Sequence, residues 1–370
     1  MITFDDVSFA YQGGIPDGSE PPALRHIHFH AERGECIVLC GKSGCGKTTM
    51  LRMVNGLVPN FYQGRLEGDI TVGNVHIKEA SLPQVAAVVG SVFQNPRTQF
   101  FHLDTTGEMA FNMENLNIPH DKMVERLKET AWKLDIQTLM DRDIFQLSGG
   151  EKQQIACGSV YASMPEVIVM DEPSSNLDME SIRKLQDLIR TMKDEGKTIL
   201  ISEHRLWYLE DIADRYVLLK DGQIENEFTS DEILALSLQE LEQSGLRAVR
   251  RKQLWNMGTR TIRQEKDMEK AAFLEIEGLR FSRQMRQVLD INRLAIPKGA
   301  IVAVIGENGA GKSTFALCLC GLLKHHGTVR INGERISNKK LPEQAYLVMQ
   351  EPGHQLFSDS VLGELMLNKG

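Results

Sequence analysis

Apolar and polar positions change rhythm several times along the chain, and each change predicts an element. Ile2–Tyr11 and Leu24–Ala31 read as strands, joined by the Gly/Pro/Ser-rich stretch GGIPDGSEPP, which reads as a surface loop. Cys36–Cys40 is a continuous apolar run, the mark of a buried parallel strand. Residues 48–57 then read as a helix, GDITVGNVHI as strand, and residues 85–93 as a further apolar run ending at Gln94. From 104 to about 143 the texture turns helical, with apolar residues three and four apart in MVERLKETAWKLDIQTLM. QLSGGEKQQIACGSVYA reads as a glycine turn opening a helix, and residues 167–170 as a strand closing on Asp171-Glu172-Pro173. A helix over 179–193, a strand over 198–202 leading to Glu203-His204, and a hairpin turning at Asp221-Gly222 follow. EILALSLQELEQSGLRAVRRKQLW reads as amphipathic helix, leading into polar sequence with Arg247, Arg250, Arg251, Lys252, Arg260 and Arg263. That stretch is either a solvated linker or a face for a partner or a membrane surface.

The chemistry starts at residues 41–48, GKSGCGKT, which fit the phosphate-loop pattern G-x-x-x-x-G-K-[ST] between the buried strand and the helix. Glycines at 41, 44 and 46 let backbone N–H groups, with that of Ser43 among them, turn toward an anion at the helix N-terminus. Lys47 adds a charge for the outer phosphates, and the Thr48 hydroxyl offers a ligand to Mg²⁺. A glycine-rich turn before any helix is the bland alternative, and the strand–loop–helix setting argues against it. A strand ending on Asp-Glu beside such a loop puts Asp171 near the metal and Glu172 near an attacking water. His204, two residues past the next strand, suits a γ-phosphate contact.

The chain then repeats itself. VIGENGAGKST answers LCGKSGCGKTT, so that Gly306, Asn308, Gly309, Gly311, Lys312, Ser313 and Thr314 form a second phosphate loop. GTVRING answers GDITVGN, Gln350 answers Gln94, Gln355 answers Gln99, and Glu364 answers Glu108. The second copy stops before its own counterparts of the glycine turn, the acidic strand end and His204.

Composition narrows the picture. A chain of 370 residues has room for two domains, and its net charge of −8 argues against nucleic acid as the main partner. No apolar run reaches the roughly 18 residues of a membrane span, and the acidic start MITFDDVSFAY does not resemble a secretion signal. The six cysteines lack zinc-like spacing and read as buried thiols of a soluble cytosolic protein; Cys45, inside the phosphate loop, is either reactive or a spectator.

Taken together, residues 1–227 resemble an ATP-binding cassette (ABC) ATPase. LSGGEKQQ, residues 147–154, matches the ABC signature. The resemblance implies an α/β phosphate-loop NTPase core with a helical signature subdomain, and residues 271–370 resemble the front part of a second cassette after a 228–270 linker. It implies that Tyr11 stacks on adenine and Thr49 lies with the nucleotide. Gln94, with Asp171 and Thr48, would serve Mg²⁺, as would Ser313 and Gln350 in the second copy. Glu172 and His204 would act on the γ-phosphate, with residues 175–178 as the D-loop. Ser148, Gly149 and Gly150 would cap ATP held by an opposite cassette. Arg283 stands where Tyr11 is matched, which weakens adenine stacking in the second copy.

The tandem layout, FQNPRTQFF, GEMAF and SEHR are similar to the ATPases of energy-coupling-factor importers for vitamins, vitamin precursors, cobalt or nickel. Those ATPases sit on the inner membrane face and bind an integral coupling protein near the Gln94 loop. A soluble tandem cassette acting on the ribosome is the alternative, although Ser174 to Asp178 depart from its T-N-H-L-D pattern and the acidic charge counts against ribosomal RNA. If the two halves of this chain paired, neither site would be complete. The expectation is therefore pairing with a second polypeptide, as a symmetric dimer or with a separate cassette.

Overall fold

The computed structural model describes residues 1–12, 22–255, 272–283, 286–349 and 352–367. It divides into two compact units, Met1–Gly258 and Thr259–Gly370.

In the first unit, β1 (Ile2–Tyr11), β2 (Leu24–Ala31), β4 (Gly64–Val72) and β5 (Val75–His76) form an antiparallel sheet in the order β2-β1-β4-β5. β3 (Cys36–Cys40), β6 (Val89–Val92), β7 (Val167–Asp171), β8 (Thr198–Ser202) and β9 (Arg215–Lys220) pair in parallel. With the antiparallel β10 (Gln223–Thr229) they make a six-stranded sheet in the order β10-β9-β3-β8-β7-β6. The apolar runs are explained by this sheet, which is covered on both faces. Cys36, Val38 and Cys40 face one core with Met170, Ile201 and the helices Gly149–Ala162 and Met179–Asp194. Ile37 and Leu39 face the other, against the antiparallel sheet and the helix Lys47–Val54. The helix Met179–Asp194 buries Ile182, Leu185, Leu188, Ile189 and Met192, and Asp178 caps its N-terminus through Ser181 N. Each such fully buried side chain contributes about 1.5–3 kcal/mol of transfer free energy.

Parallel pairing brings the C-terminal ends of β3, β6, β7 and β8 to one edge of the sheet, where ligands of open α/β folds bind. The phosphate loop, Gln94, Asp171-Glu172 and His204 all leave from these ends.

Three local expectations give way. Residues 85–93 are not one strand: Ser81 and Gln84 form a reciprocal capping box that starts the helix Leu82–Ala86, and β6 begins only at Val89. The amphipathic stretch after β10 is not one helix, because Thr229 and Ser237 each cap a new one, giving Ser230–Ala235 and Leu238–Gln243. Gly245, at φ 72°, then turns the chain before Arg251–Trp255. Nor is it a wholly solvated linker, since Leu241, Leu246 and Val249 are buried in the first core. Among the described residues, no helix is long and apolar enough to cross a membrane. All six cysteines are buried and unpaired, and burial pushes the Cys36, Cys40 and Cys157 thiols up to about 12.

The second unit repeats the antiparallel sheet as β11 (Ala272–Arg283), β12 (Arg286–Pro297), β13 (His326–Ile331) and β14 (Glu334–Ile336), ordered β12-β11-β13-β14. The helix Lys312–Leu319 packs Phe315 and Cys318 against Ile276, Leu279 and Leu289. The counterpart of β3 does not form. Residues 300–306 pair with no strand, and Ile301, Val302, Val304 and Ile305 stand exposed. In the first unit β3 is held by β8 and β9 on its two sides. Among the described residues of the second unit, no parallel strand offers that pairing.

Candidate functional site

The phosphate loop of the first unit has the backbone its glycines allow. Gly41, Gly44 and Gly46 lie at φ 134°, 81° and 109°, a region costly for residues with a Cβ. At Gly41 a Cβ would also come 2.3 Å from Leu219 O. Lys47, buried, folds back so that its Nζ donates to the carbonyls of Gly41 (2.9 Å) and Lys42 (3.1 Å). The ammonium thus sits over the loop that would hold an anion. Ser43 is exposed on the loop, and Cys45 is buried beneath it, 3.9 Å from Lys47 Nζ, which answers the question of exposure in favour of a shielded thiol.

Two small polar clusters face this loop from neighbouring strand ends. In one, the Thr48 hydroxyl donates to Asp171 Oδ1 at 3.1 Å, and the Ser202 hydroxyl donates to the same oxygen at 2.7 Å. A hydroxyl and a carboxylate oxygen are the hard donors Mg²⁺ takes alongside phosphate oxygens and water. Among the described residues no group of three or more His, Cys, Asp or Glu is disposed to hold a metal without such help. In the other cluster, Glu172 Oε2 accepts from Gln94 Nε2 at 2.9 Å, and Glu172 Oε1 lies 3.2 Å from His204 Nε2. The hydrogen bond from His204 holds the Glu172 carboxyl below its ordinary pKa, against the opposing effect of partial burial, so the group is an anion at neutral pH. Glu172 also sits at φ 42°, a left-handed backbone that a non-glycine residue keeps only where its surroundings impose it.

Tyr11 lies at the end of β1, its hydroxyl 3.0 Å from Thr49 Oγ1 and 3.2 Å from Arg52 Nη1. It lines a cavity of about 710 Å³ with Gln12, Arg25 and Arg65. Ser148, Gly149 and Gly150 open the helix Gly149–Ala162: the Ser148 hydroxyl accepts from Glu151 N, and the Glu151 carboxylate accepts from Ser148 N. No hydrogen bond links this end to the phosphate loop among the described residues. The structure thus gathers Lys47, Thr48, Gln94, Asp171, Glu172 and His204, and leaves the Ser148 turn outside that group.

The second unit carries the same loop. Gly306, Gly309 and Gly311 lie at φ 148°, 84° and 93°, and Lys312 Nζ donates to Gly306 O (2.7 Å) and Glu307 O (2.6 Å). Asn308 and Ser313 are exposed, whereas Thr314 is half-buried. Gln355 donates to Leu347 O and accepts from Met349 N, as Gln99 does with Ser91 O and Phe93 N. Glu364 accepts from Phe357 N and Ser358 N, as Glu108 does from Phe101 N and His102 N. Gln350 lies outside the described residues.

Sequence reasoning missed the support beneath this site. Ser202 steadies Asp171, and Arg52 steadies Tyr11. Glu203 and Arg205 tie two loops together. The available signal was Glu203 itself, a charge directly after a wholly buried strand.

Phosphate loop, acidic strand end and histidine on one edge of a parallel sheet define a phosphate-loop ATPase. The ABC transporter family model matches residues 24–175 and 289–364, and the chain belongs to that family of ATP-binding, ATP-hydrolysing transporter subunits. It is similar to an ABC transporter ATP-binding protein of Treponema denticola, with 41% identity over 99% of this chain and 74% of the relative. An HMP/thiamine import ATP-binding protein of Bacillus subtilis is 29% identical over 100% of this chain and 71% of its own length. Among solved structures, cbiO1 of Clostridium perfringens, described as part of the ABC transporter complex cbiONQ, superposes with a TM-score of 0.57 at 25% identity. That match covers 65% of this chain and 94% of the other.

Proposed function

We propose that this chain powers an importer of the energy-coupling-factor kind, carrying a vitamin, a vitamin precursor, cobalt or nickel. The observation that supports it best is the doubled phosphate loop, with its Gln99/Gln355 and Glu108/Glu364 clamps, in a chain that aligns along its length with 71% of an HMP/thiamine import ATP-binding protein. In this reading the first cassette, residues 1–227, binds and hydrolyses ATP, and residues 228–270 link it to a partial second cassette, 271–370. Lys47 and the loop N–H groups hold the phosphates, Tyr11 meets the adenine, and Thr48, Asp171 and Gln94 serve Mg²⁺. Glu172 takes the proton of the attacking water, and His204 and Gln94 orient it. Ser313 and Gln350 would serve a second metal.

The membrane partner is an integral coupling protein, which keeps the chain at the inner face of the membrane. Phe101, Leu103 and Phe145, exposed near the Gln94 loop, are the apolar side chains available to it. Affinity purification of the intact chain from native membranes is expected to recover integral membrane proteins with it. Recovery with ribosomes and without membrane proteins would overturn the proposal.

A further inference from the structure

Glu203 is 2% exposed, and its carboxylate faces no lysine or arginine head group within salt-bridge distance among the described residues. Four donors satisfy it instead. Oε1 accepts from His204 N at 2.7 Å and Arg205 N at 3.0 Å. Oε2 accepts from the Tyr208 hydroxyl at 2.9 Å and from Ser174 N at 3.3 Å. A buried carboxylate is costly unless hydrogen-bonded in this way, and the two oxygens divide their work. One holds the loop that carries His204; the other holds the turn that follows Glu172-Pro173. Arg205 reinforces the same junction, with Nη1 donating to Ser174 O and Leu177 O at 3.2 Å each.

We propose that Glu203 is a positioning residue that fixes the separation of Glu172 and His204 by tying together the two loops that bear them. The proposal rests on the reading of Glu172 and His204 as the reacting pair. Without that tie, the strand ends keep the Glu172 N to Ser202 O and Ser202–Asp171 bonds, and Arg205 alone joins the two loops beyond them. The 3.2 Å contact that stabilises the Glu172 anion would then be one of several arrangements.

Glu203→Gln separates the two halves of the tie. The amide oxygen still accepts from His204 N and Arg205 N. Its NH₂ can donate to Tyr208, whose hydroxyl rotates to accept, but it meets Ser174 N–H donor to donor. The Glu172 turn is released while the His204 loop stays held. In steady-state ATPase assays on the full chain, kcat is expected to fall about tenfold or more, with the KM for ATP within about twofold of wild type because the Lys47 loop is untouched. Counting the bound ATP analogue alongside hydrolysis gives turnover per bound nucleotide, which a positioning role lowers. A merely structural role would reduce the number of binding sites and leave turnover per bound nucleotide unchanged.

Tyr208→Phe removes one donor to Oε2 and is expected to lower turnover per bound nucleotide in the same way by less. It decides the matter should Glu203→Gln fail to fold. Unchanged turnover per bound nucleotide in whichever variant folds overturns the proposal. His204→Ala separates the two failures: if it lowers turnover per bound nucleotide and Glu203→Gln does not, only the positioning role falls. If His204→Ala leaves it unchanged, the pairing on which the proposal rests falls too.

Discussion

Glu172→Gln is expected to lower ATP turnover by about 10²–10⁴-fold, the range for loss of a positioned general base, while ATP stays bound. The expectation follows from where Glu172 sits. Its carboxylate is half-shielded at the end of β7 and is fixed by Gln94 on one oxygen and His204 on the other. A glutamine keeps the shape but has no basic oxygen for the proton of an attacking water. Lys47 and the loop backbone, proposed to hold the phosphates, belong to a different segment. Steady-state hydrolysis and equilibrium binding of a fluorescent ATP analogue, measured side by side, separate the two effects. The wild-type pH profile carries the matching signature. Because His204 depresses the Glu172 pKa, the base form persists into more acidic solution than an ordinary glutamate would allow. Removing that donor with His204→Ala therefore moves the acid limb to higher pH. Turnover of Glu172→Gln at wild-type rates would remove the residue from the chemistry.

Lys47→Ala is expected to weaken ATP binding by about 10–100-fold, the loss of one or two hydrogen bonds to charged oxygens. Lys47 is buried and already aimed across its own loop by the Gly41 and Lys42 carbonyls, so little ordering is left for the nucleotide to impose. Lys312 makes the equivalent bonds in a loop whose residues stand exposed, and solvent screens its charge. Lys312→Ala is therefore expected to change total binding less. Titration of each variant with the same analogue measures both, and a larger loss from Lys312→Ala would reverse this ranking of the two loops.

Much of the first unit could be read from local pattern, because its parallel strands are buried on both faces and so appear as unbroken apolar runs at 36–40 and 167–170. Residues whose chemistry depends on spacing along the chain were legible too: the phosphate loop, Asp171-Glu172 and the Ser148 turn each occupy one short segment. What was not legible depends on contacts between distant segments. Ser202 meeting Asp171, and Glu203 meeting Ser174, are set by the pairing of β7 with β8, which no local spacing reveals. The helix boundary at Ser81 was missed because an apolar run hides a capping box just before it. The second unit shows the converse. Residues 301–305 have the composition of a central strand, yet without parallel neighbours among the described residues they form none. Apolar sequence makes a strand only where a sheet receives it.

No hydrogen bond joins the Ser148 turn to the Lys47 loop of its own unit among the described residues, so ATP hydrolysis is expected to need the first cassette of a second copy to supply that turn. The solution mass of Glu172→Gln with and without ATP and Mg²⁺ tests this. The mass is expected to double with nucleotide and no longer to do so when Ser148→Arg is added. A mass that stays monomeric with ATP bound would contradict pairing between first cassettes of two copies.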